Sequence, residues 1–124
     1  MKPRAVDFVS YSVRDMDRSE AFYRDVLGLD VEVARGKPGT RAAGFMELDA
    51  GGTTIGLIQQ PEFFPNAIVA LAVEDVHAAV EELRGKGVPI SMEPIETPVC
   101  FMAVVADPDG NRILVHQRKD GSFG

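Results

Sequence analysis

Short stretches of strand-forming residues occur at two widely separated places in the chain. Residues 7–13 mix β-branched and aromatic side chains with serines, and residues 67–73 are apolar throughout. Both segments have the length and composition of strands, and both lead into a turn that contains Asp. The hydrophobic pattern therefore predicts one strand at the start of each half of the chain.

A helix is predicted after each of these strands. In the first half, residues 17–19 are a suitable helix start and residues 20–27 continue it, until Gly28 ends the helix in the left-handed conformation that glycine tolerates. In the second half, Asp75 can cap a helix with one apolar stripe at the i, i+3, i+4 and i+7 positions. The residues of that stripe are Val76, Ala79, Val80 and Leu83.

Three shorter strands are predicted after each helix. Glycine and proline residues at 51–52 and 107–110 supply hairpin turns between neighbouring strands, since glycine tolerates positive φ and proline fixes its own φ. The predicted strands are residues 29–35, 42–48 and 53–59 in the first half, and residues 88–93, 99–106 and 112–117 in the second. This order predicts an α+β fold of two tandem βαβββ modules.

The sequence also repeats itself weakly. Residues 12–16 resemble residues 72–76, and residues 52–59 resemble residues 110–117, so the two offsets are nearly equal. Two matches in the same order indicate two similar supersecondary units. The repeat predicts a single domain over residues 1–124, with module 1 at about residues 5–60, a linker at 60–66, module 2 at 67–118 and a frayed tail at 119–124.

Composition and charge narrow the choice of partners. A hydrophobic content of 45% with 26% charged residues is ordinary for a globular domain that buries a core. The net charge of −6 and the scattered basic residues argue against binding to nucleic acid, which requires clustered Lys and Arg. The longest apolar run, residues 99–106, is too short to span a bilayer, so no membrane partner is predicted.

The single cysteine and the start of the sequence favour the cytoplasm. Cys100 excludes an internal disulfide and is typical of a reducing compartment. Residues 1–7 lack the apolar stretch of a signal peptide. Because Cys100 lies within the apolar run 99–106, we interpret it as a buried small hydrophobic residue and not as a reactive thiol.

Three segments resemble one known superfamily. Residues 13–19 and 21–29 look like the first strand end and helix of the glyoxalase/bleomycin-resistance/dioxygenase superfamily, also called vicinal oxygen chelate, and residues 107–111 resemble its closing hairpin. The superfamily includes glyoxalase I, fosfomycin-resistance enzymes, extradiol dioxygenases and bleomycin-binding proteins. The resemblance implies paired βαβββ modules whose strands curl around a cavity, but a fold of this kind hosts many chemistries.

The resemblance also marks four positions where enzymes of the superfamily hold a metal. By motif these positions are Phe8, Gly56, Ile68 and Leu114. None of the four side chains offers the imidazole, carboxylate, amide or thiolate donor that a divalent cation needs. We therefore predict no metal and no cofactor, which puts metal-dependent glyoxalase, dioxygenase and transferase chemistry in doubt.

A few polar residues can still carry chemistry. His116 lies two residues beyond Leu114 and therefore on the same strand face, where it can bond a ligand or act as a general base. The alternative interpretation is that His116 is partly solvated at a strand end or packs at a subunit contact. Glu47 is a candidate cavity acid or, alternatively, an exposed residue on an alternating strand. Ser10 shares a face with Phe8 and can offer a hydroxyl to a ligand.

The remaining apolar residues can line a cavity for a flat ligand, because aromatic rings contribute area and stacking. The alternative is that they simply fill the space of a missing metal and ligand. His77, by contrast, is expected on the solvated surface of the second helix. The predicted ligand-binding residues are Phe8, Ser10, Phe45, Gly56, Ile68, Phe101, Leu114 and His116.

These observations leave three hypotheses for function. The first is a metal-independent protein that binds a small organic molecule, such as an aromatic or antibiotic-like compound, in an apolar cavity. The second is a glyoxalase-like lyase or another enzyme that uses His116, Glu47 or an externally supplied metal. The third is a non-catalytic regulatory or structural subunit. The resemblance further predicts a homodimer, which would also cover strand edges that are otherwise left open.

Overall fold

The computed structural model describes residues 1–42, 44–63 and 66–124. The chain divides into two compact units. The first unit is Phe8–Ala67, and the second unit combines Met1–Asp7 with Ile68–Gly124. Strand β1 (Ala5–Val13) gives its first three residues to the second unit and the rest to the first.

The first unit has the order strand, helix and further strands. After β1 come the short helix α1 (Met16–Ala21), a π-helical turn (Phe22–Val26) and six more strands. Four strands lie side by side in the order β2, β6, β7, β1, with β7 parallel to β1 and the other pairs antiparallel. The strands are β2 (Asp30–Val31), β3 (Val33–Ala34), β4 (Lys37–Pro38), β5 (Arg41–Ala42), β6 (Phe45–Asp49) and β7 (Thr54–Gln59).

The second unit repeats this order with longer elements. Its four strands lie in the order β8, β11, β10, β9, with β11 parallel to β8 and the other pairs antiparallel. The elements are β8 (Ala67–Ala72), α2 (Val76–Gly85), β9 (Ile90–Glu96), β10 (Cys100–Ala106) and β11 (Arg112–Arg118). The predicted α+β class with a strand–helix–three-strand module is confirmed.

Helix α2 has the cap and the apolar stripe that the sequence predicts. The Asp75 carboxylate accepts a hydrogen bond from the backbone N–H of Ala78 at 3.1 Å, which satisfies one of the free donors of the first turn. Val76, Ala79, Val80 and Leu83 pack against the sheet side chains Ala103, Val105 and Val115. This cluster is the core of the second unit.

Helix α1 begins at Met16, slightly before the predicted start. The side chain of Asp15 caps it by accepting a hydrogen bond from Arg18 N at 3.1 Å. Gly28 has the left-handed φ of +74° that its place after the helix predicts. The core of the first unit comprises Val13, Met46, Leu48 and Leu57, with Met16 and Tyr23 packed on it.

The predicted strand at 29–35 is broken in the structure. Glu32 has a φ of +61°, which takes the chain out of the extended conformation and separates β2 from β3. Arg35 has a φ of +56° and precedes the turn into β4. The predicted linker 60–66 is described except at Phe64 and Pro65, which lie outside the described residues; Phe63 stacks under the Arg14 guanidinium, 4.1 Å from the ring centre.

The tail at 119–124 makes defined contacts, although the sequence suggests fraying. The Gly124 N–H donates to Asp7 Oδ1 at 2.9 Å, and the Phe123 ring lies 3.7 Å from the Arg4 guanidinium carbon. These contacts tie the tail to the start of β1 within the second unit. Across the described part of the chain, no helix has the length and apolar character needed to cross a membrane.

Candidate functional site

Strand register brings three polar side chains of the second unit onto one face of its sheet. Val115 on β11 belongs to the core under α2, so alternation turns His116 to the opposite face. Cys100 on β10 is the register partner of Arg118, and Met102 is the partner of His116. His116, Arg118 and Cys100 therefore share the face that points away from the helix.

Asp7 joins this group from the start of the chain. Its Oδ2 atom lies 2.5 Å from Nδ1 of His116, and its Oδ1 atom accepts from Nη1 of Arg118 at 2.7 Å and from the backbone of Gly124 at 2.9 Å. Asp7 is 1% exposed and His116 is 5% exposed. Both oxygens of a buried carboxylate are thus occupied by donors, as burial of a charge requires.

The surroundings of this pair favour its charged form. Burial raises the pKa of Asp7, but hydrogen bonds from His116 and Gly124 and the charge of Arg118 outweigh it, so the net pKa lies below the ordinary value. Burial lowers the pKa of His116, but its hydrogen bonds to Asp7 and Cys100 and their charges outweigh that effect and raise the net pKa. These opposite directions both favour the ion pair of carboxylate and imidazolium over the neutral pair.

Cys100 is the third member of the group, and it is not in an apolar setting. Cys100 lies diagonally across the β10–β11 pair from His116, whose side chain influences the thiol, and Thr97 Oγ1 lies 3.1 Å from its Sγ. Burial raises the pKa of the thiol, but these neighbours and the charges of His116 and Lys119 outweigh burial and lower the net pKa. The structure confirms that Cys100 is buried, and it also places the Thr97 hydroxyl and the His116 side chain beside the sulfur.

A cavity of about 280 Å³ opens beside this group within the second unit. It shares one residue with the group, because Arg118, whose guanidinium bonds to Asp7, is also a lining residue of the cavity. Lys119 in the lining also pairs with Glu96, at 2.5 Å. The lining includes Arg4, Glu74, Gln117, Arg118, Lys119 and Phe123. It is largely polar and charged, and none of the residues that the sequence predicts around an apolar cavity lines it.

In the first unit, aromatic rings occupy the space beside Gly56. The rings of Phe8 and Phe45 lie 5.9 Å apart between centres at an angle of 60°. A Cβ atom on Gly56 would lie 3.2 Å from Cε2 of Phe45 and 3.5 Å from Cδ2 of Phe8. The rings therefore fill this side of β7, and the missing side chain of Gly56 is what gives them room.

The residues at the four family positions do not fit a metal. In the first unit, Phe8 presents an aromatic ring and Gly56 has only its backbone. In the second unit, Ile68 and Leu114 present aliphatic side chains. Among the residues that the structure describes, no group of three or more His, Cys, Asp or Glu side chains is arranged to hold a metal ion. In the Asp7 group the carboxylate is already occupied by cationic partners, which also repel a further cation.

The other residues of the first unit named from the sequence are buried. Glu47 is 8% exposed on β6, and its Oε2 atom accepts from the backbone N–H of Thr40 at 2.7 Å. Its register partner on β7 is Gly56, so it shares the face of the two rings. Ser10 is also buried and also pairs in register with Gly56, from β1. Glu47 is therefore anchored to the backbone of the preceding segment, not exposed.

The remaining predicted cavity residues of the second unit fall on both faces of its sheet. Leu114 is 8% exposed and shares the His116 face, and half-buried Ile68 lies on the same side by alternation along β8. Phe101 lies on the other side, where it packs against the core under α2 and its ring meets that of exposed His77 at 5.8 Å. Phe101 is thus separated from the face that carries His116.

Sequence reasoning placed His116 on the correct face but missed most of its partners. The sequence pattern places neither Asp7 nor Arg118 beside His116. The hairpin turn at 107–110 could have revealed Cys100, because pairing residues 106 and 112 across the turn puts Cys100 opposite Arg118 and diagonal to His116. No comparable signal links Asp7 to His116, since they are 109 residues apart.

Comparisons with known proteins agree with this architecture. The chain is 27% identical over 123 residues to a lactoylglutathione lyase from Haemophilus influenzae, covering 90% of this chain and 91% of that protein. A glyoxalase/bleomycin resistance protein/dioxygenase superfamily member from Vibrio splendidus has a TM-score of 0.63 at 20% identity, covering 89% of this chain and 96% of that chain. A methylmalonyl-CoA epimerase from Mycobacterium tuberculosis has a TM-score of 0.70 at 19% identity, with coverages of 93% and 88%.

The two structural likenesses show the fold alone, since their sequence identities are low. The family assignment comes from the sequence match. The model of the Glyoxalase/Bleomycin resistance protein/Dioxygenase superfamily matches residues 5–115, which is most of the chain. On this match, the chain belongs to the Glyoxalase/Bleomycin resistance protein/Dioxygenase superfamily.

Proposed function

We propose that this protein is a metal-independent member of its superfamily that binds a small organic anion in the cavity of the second unit. The observation that carries the proposal is the basic lining of that cavity, to which Arg4, Arg118 and Lys119 all contribute. Asp7 pairs with Arg118 and Glu96 pairs with Lys119, so the attraction of this cavity for an anionic ligand depends most on Arg4, whose guanidinium lies over the Phe123 ring.

The other lining residues narrow the ligand further. Guanidinium groups bind carboxylates through paired hydrogen bonds, and the Phe123 ring offers a surface for stacking. Glu74 supplies an acceptor for a hydroxyl group of the ligand, whereas Gln117 Oε1 already accepts from the backbone N–H of Val76. Because small-molecule sites usually enclose about 300–1,000 Å³, a cavity of about 280 Å³ fits a ligand of one ring. A hydroxylated aromatic carboxylate combines these features.

Binding of p-hydroxybenzoate, measured by calorimetry and thermal shift, tests the proposal. The neutral p-hydroxybenzamide has the same shape without the charge, and we expect it to bind at least about tenfold more weakly. Arg4→Ala should weaken binding of the acid by a similar factor, since Arg4 lines the cavity. Arg84→Ala is the matched control, because it removes the same charge from α2 outside the lining. Equal binding of acid and amide would contradict the proposal.

The alternative function is a lyase of the kind named among the relatives. It is favoured by one observation, the buried pair of His116 and Asp7, in which an imidazole is oriented as in a general acid or base. An assay for lactoylglutathione formation, with and without added Zn²⁺ or Ni²⁺, separates the two functions. Turnover that His116→Gln abolishes would replace the binding proposal with the enzymatic one.

We further propose that the protein is a cytoplasmic homodimer. The homodimer is an expectation from the superfamily, and large apolar side chains that stay exposed in the first unit support it, namely Phe22, Val26 and Leu27. Sedimentation velocity on the purified chain tests the dimer. A monomer over the whole concentration range would contradict it.

A further inference from the structure

The second unit contains a buried nucleophile that the proposed binding function does not use. Cys100, His116 and Asp7 follow one another in space: Cys100 is the diagonal strand neighbour of His116, and His116 Nδ1 lies 2.5 Å from Asp7 Oδ2. Each of the three residues is at least nine-tenths buried. A thiol with a base beside it and an acid that orients the base is the arrangement that activates cysteine nucleophiles.

We propose that Cys100 is a reactive thiolate that forms covalent adducts with small α,β-unsaturated carbonyl compounds, with His116 holding the proton and Asp7 positioning the imidazole. Cys100 itself does not line the cavity of the proposed binding function.

The contacts assign a role to each group. Asp7 Oδ2 accepts from His116 Nδ1, which leaves the other ring nitrogen of His116 for the thiol. Arg118 and the Gly124 backbone hold the second oxygen of Asp7, so the carboxylate cannot rotate away from the imidazole. Without such support the ring could turn and lose the thiol.

The sulfur has its own supporting contacts. The Thr97 hydroxyl lies 3.1 Å from Cys100 Sγ and can donate to a thiolate, and the positive charge of Lys119 also stabilises the anion. The nearby carboxylate of Glu96 is paired with Lys119 at 2.5 Å and thereby partly neutralised. Groups on β1, β10, β11 and the segment before β10 thus favour the charge-separated pair of thiolate and imidazolium.

The addition needs no reactant other than the Cys100 thiol and the unsaturated carbonyl compound. The thiol proton moves to His116, and the thiolate sulfur attacks the β-carbon of the unsaturated carbonyl. The S–C bond forms while the C=C π pair becomes an enolate. The imidazolium then returns its proton to the α-carbon, which leaves a neutral His116 and a saturated thioether. Conjugated carbonyls suit the site better than alkyl halides, because only their addition consumes the proton that His116 holds.

Access limits the size of the electrophile. Cys100 is 6% exposed, so a bulky thiol reagent cannot reach it in the folded protein, whereas acrylamide presents one small planar group. Acrylamide adducts on the full chain can be counted by intact-mass spectrometry, and the sequence holds one cysteine, so the site of addition is unambiguous.

The experiment measures the rate of acrylamide addition from pH 5.5 to 9.5. At about pH 6.5 we expect the folded protein to react at least tenfold faster than the same chain unfolded in urea, because an ordinary thiol with a pKa of about 8.5 is mostly protonated there. Cys100→Ser should form no adduct. His116→Gln and Asp7→Asn should slow addition at least tenfold at that pH and recover most of the rate at the alkaline end.

A control and an independent measurement complete the test. Glu81→Gln removes one carboxylate from the exposed surface of α2 and should leave the rate profile unchanged. If Asp7→Asn does not fold, the ultraviolet absorbance of the thiolate, taken as wild type minus Cys100→Ser, gives the titration of the native chain. The proposal is overturned by a thiolate that appears only at the pH of an ordinary thiol, by a folded protein inert to acrylamide, or by an unchanged profile in His116→Gln.

Discussion

At the scale of single residues, Gly56 shows how a missing side chain shapes its unit. The edge of the Phe45 ring lies 3.2 Å from the position that a β-carbon would take, and the Phe8 ring lies 3.5 Å from it. The backbone at Gly56 has no positive φ, so space and not conformation demands glycine here. The substitution to alanine therefore isolates the packing of the two rings.

Gly56→Ala should destabilise the protein by about 1–3 kcal/mol, the usual cost of adding a methyl group to a filled core. Phe45→Leu should reduce that cost, because it removes the ring atoms that a β-carbon meets at 3.2 Å. Urea unfolding of the two single variants and the double variant measures this coupling. Gly85→Ala is the control, since a β-carbon there meets nothing within 4 Å and alanine favours the helix. Additive effects in the cycle would refute the packing argument.

Asp7 makes the stability of the second unit depend on pH. Its folded pKa lies below the ordinary value of 3.8, so its stabilising effect is complete above that value and is lost as the pH falls through the folded pKa. Asp7→Asn should cost about 3 kcal/mol near pH 6, because it leaves a buried imidazolium and Arg118 without their counter-charge. The cost should shrink below about pH 4.

Unfolding free energies of wild type and Asp7→Asn between pH 2.5 and 7 measure this dependence, with Glu81→Gln as the exposed control. A cost that stays constant down to the lowest pH would show that Asp7 is not ionised in the folded protein.

The same residues show what the sequence could predict. Alternation along β11 predicts the sheet face on which His116 lies, but it does not identify the residues that His116 contacts there. Its partner on β1, Asp7, is 109 residues distant in the sequence.

At the scale of elements, local signals determined the helices better than the short strands. Asp75 and the apolar stripe behind it define α2 through contacts within one or two turns, which is why its start could be predicted. The strand predicted at 29–35 depends instead on Glu32, a residue that seldom adopts a positive φ. Propensity alone could not predict that break, because tertiary pairing of β2 with β6 sets the backbone there.

Asp75→Ala should destabilise the protein by about 1 kcal/mol, since the Ala78 N–H loses its side-chain acceptor and nothing replaces it but water. Asp75→Asn keeps an acceptor oxygen at the same position and should restore most of the lost stability. Thermal and urea unfolding monitored by circular dichroism give both values. Equal losses in the two variants would mean that the carboxylate charge, and not the cap, stabilises the helix.

At the scale of the whole molecule, two modules of the same order carry different chemistry. The repeat at offsets near 60 residues is enough to predict the βαβββ order, because each half of the sequence shows the strand and helix periodicities in the same order. The side chains on the sheets diverge: the first unit holds two rings against Gly56, and the second holds a buried series from Asp7 to Cys100. Hydrophobic periodicity cannot predict this divergence, because it indicates on which face of an element a residue lies and not which residues it contacts there.

The loss of donors at the family positions leads to a prediction for the whole protein. Because Phe8, Gly56, Ile68 and Leu114 offer no ligand, adding Zn²⁺, Ni²⁺, Mn²⁺ or Fe²⁺ or removing metals with a chelator should leave the melting temperature unchanged within about 1 °C. A metal at a thousand times its Kd would instead stabilise the fold by about 4 kcal/mol, or several degrees. Native mass spectrometry counts bound ions directly. One equivalent of metal that His116→Gln or Asp7→Asn releases would show that this pair is a ligand set, and the metal-independent function would then be wrong.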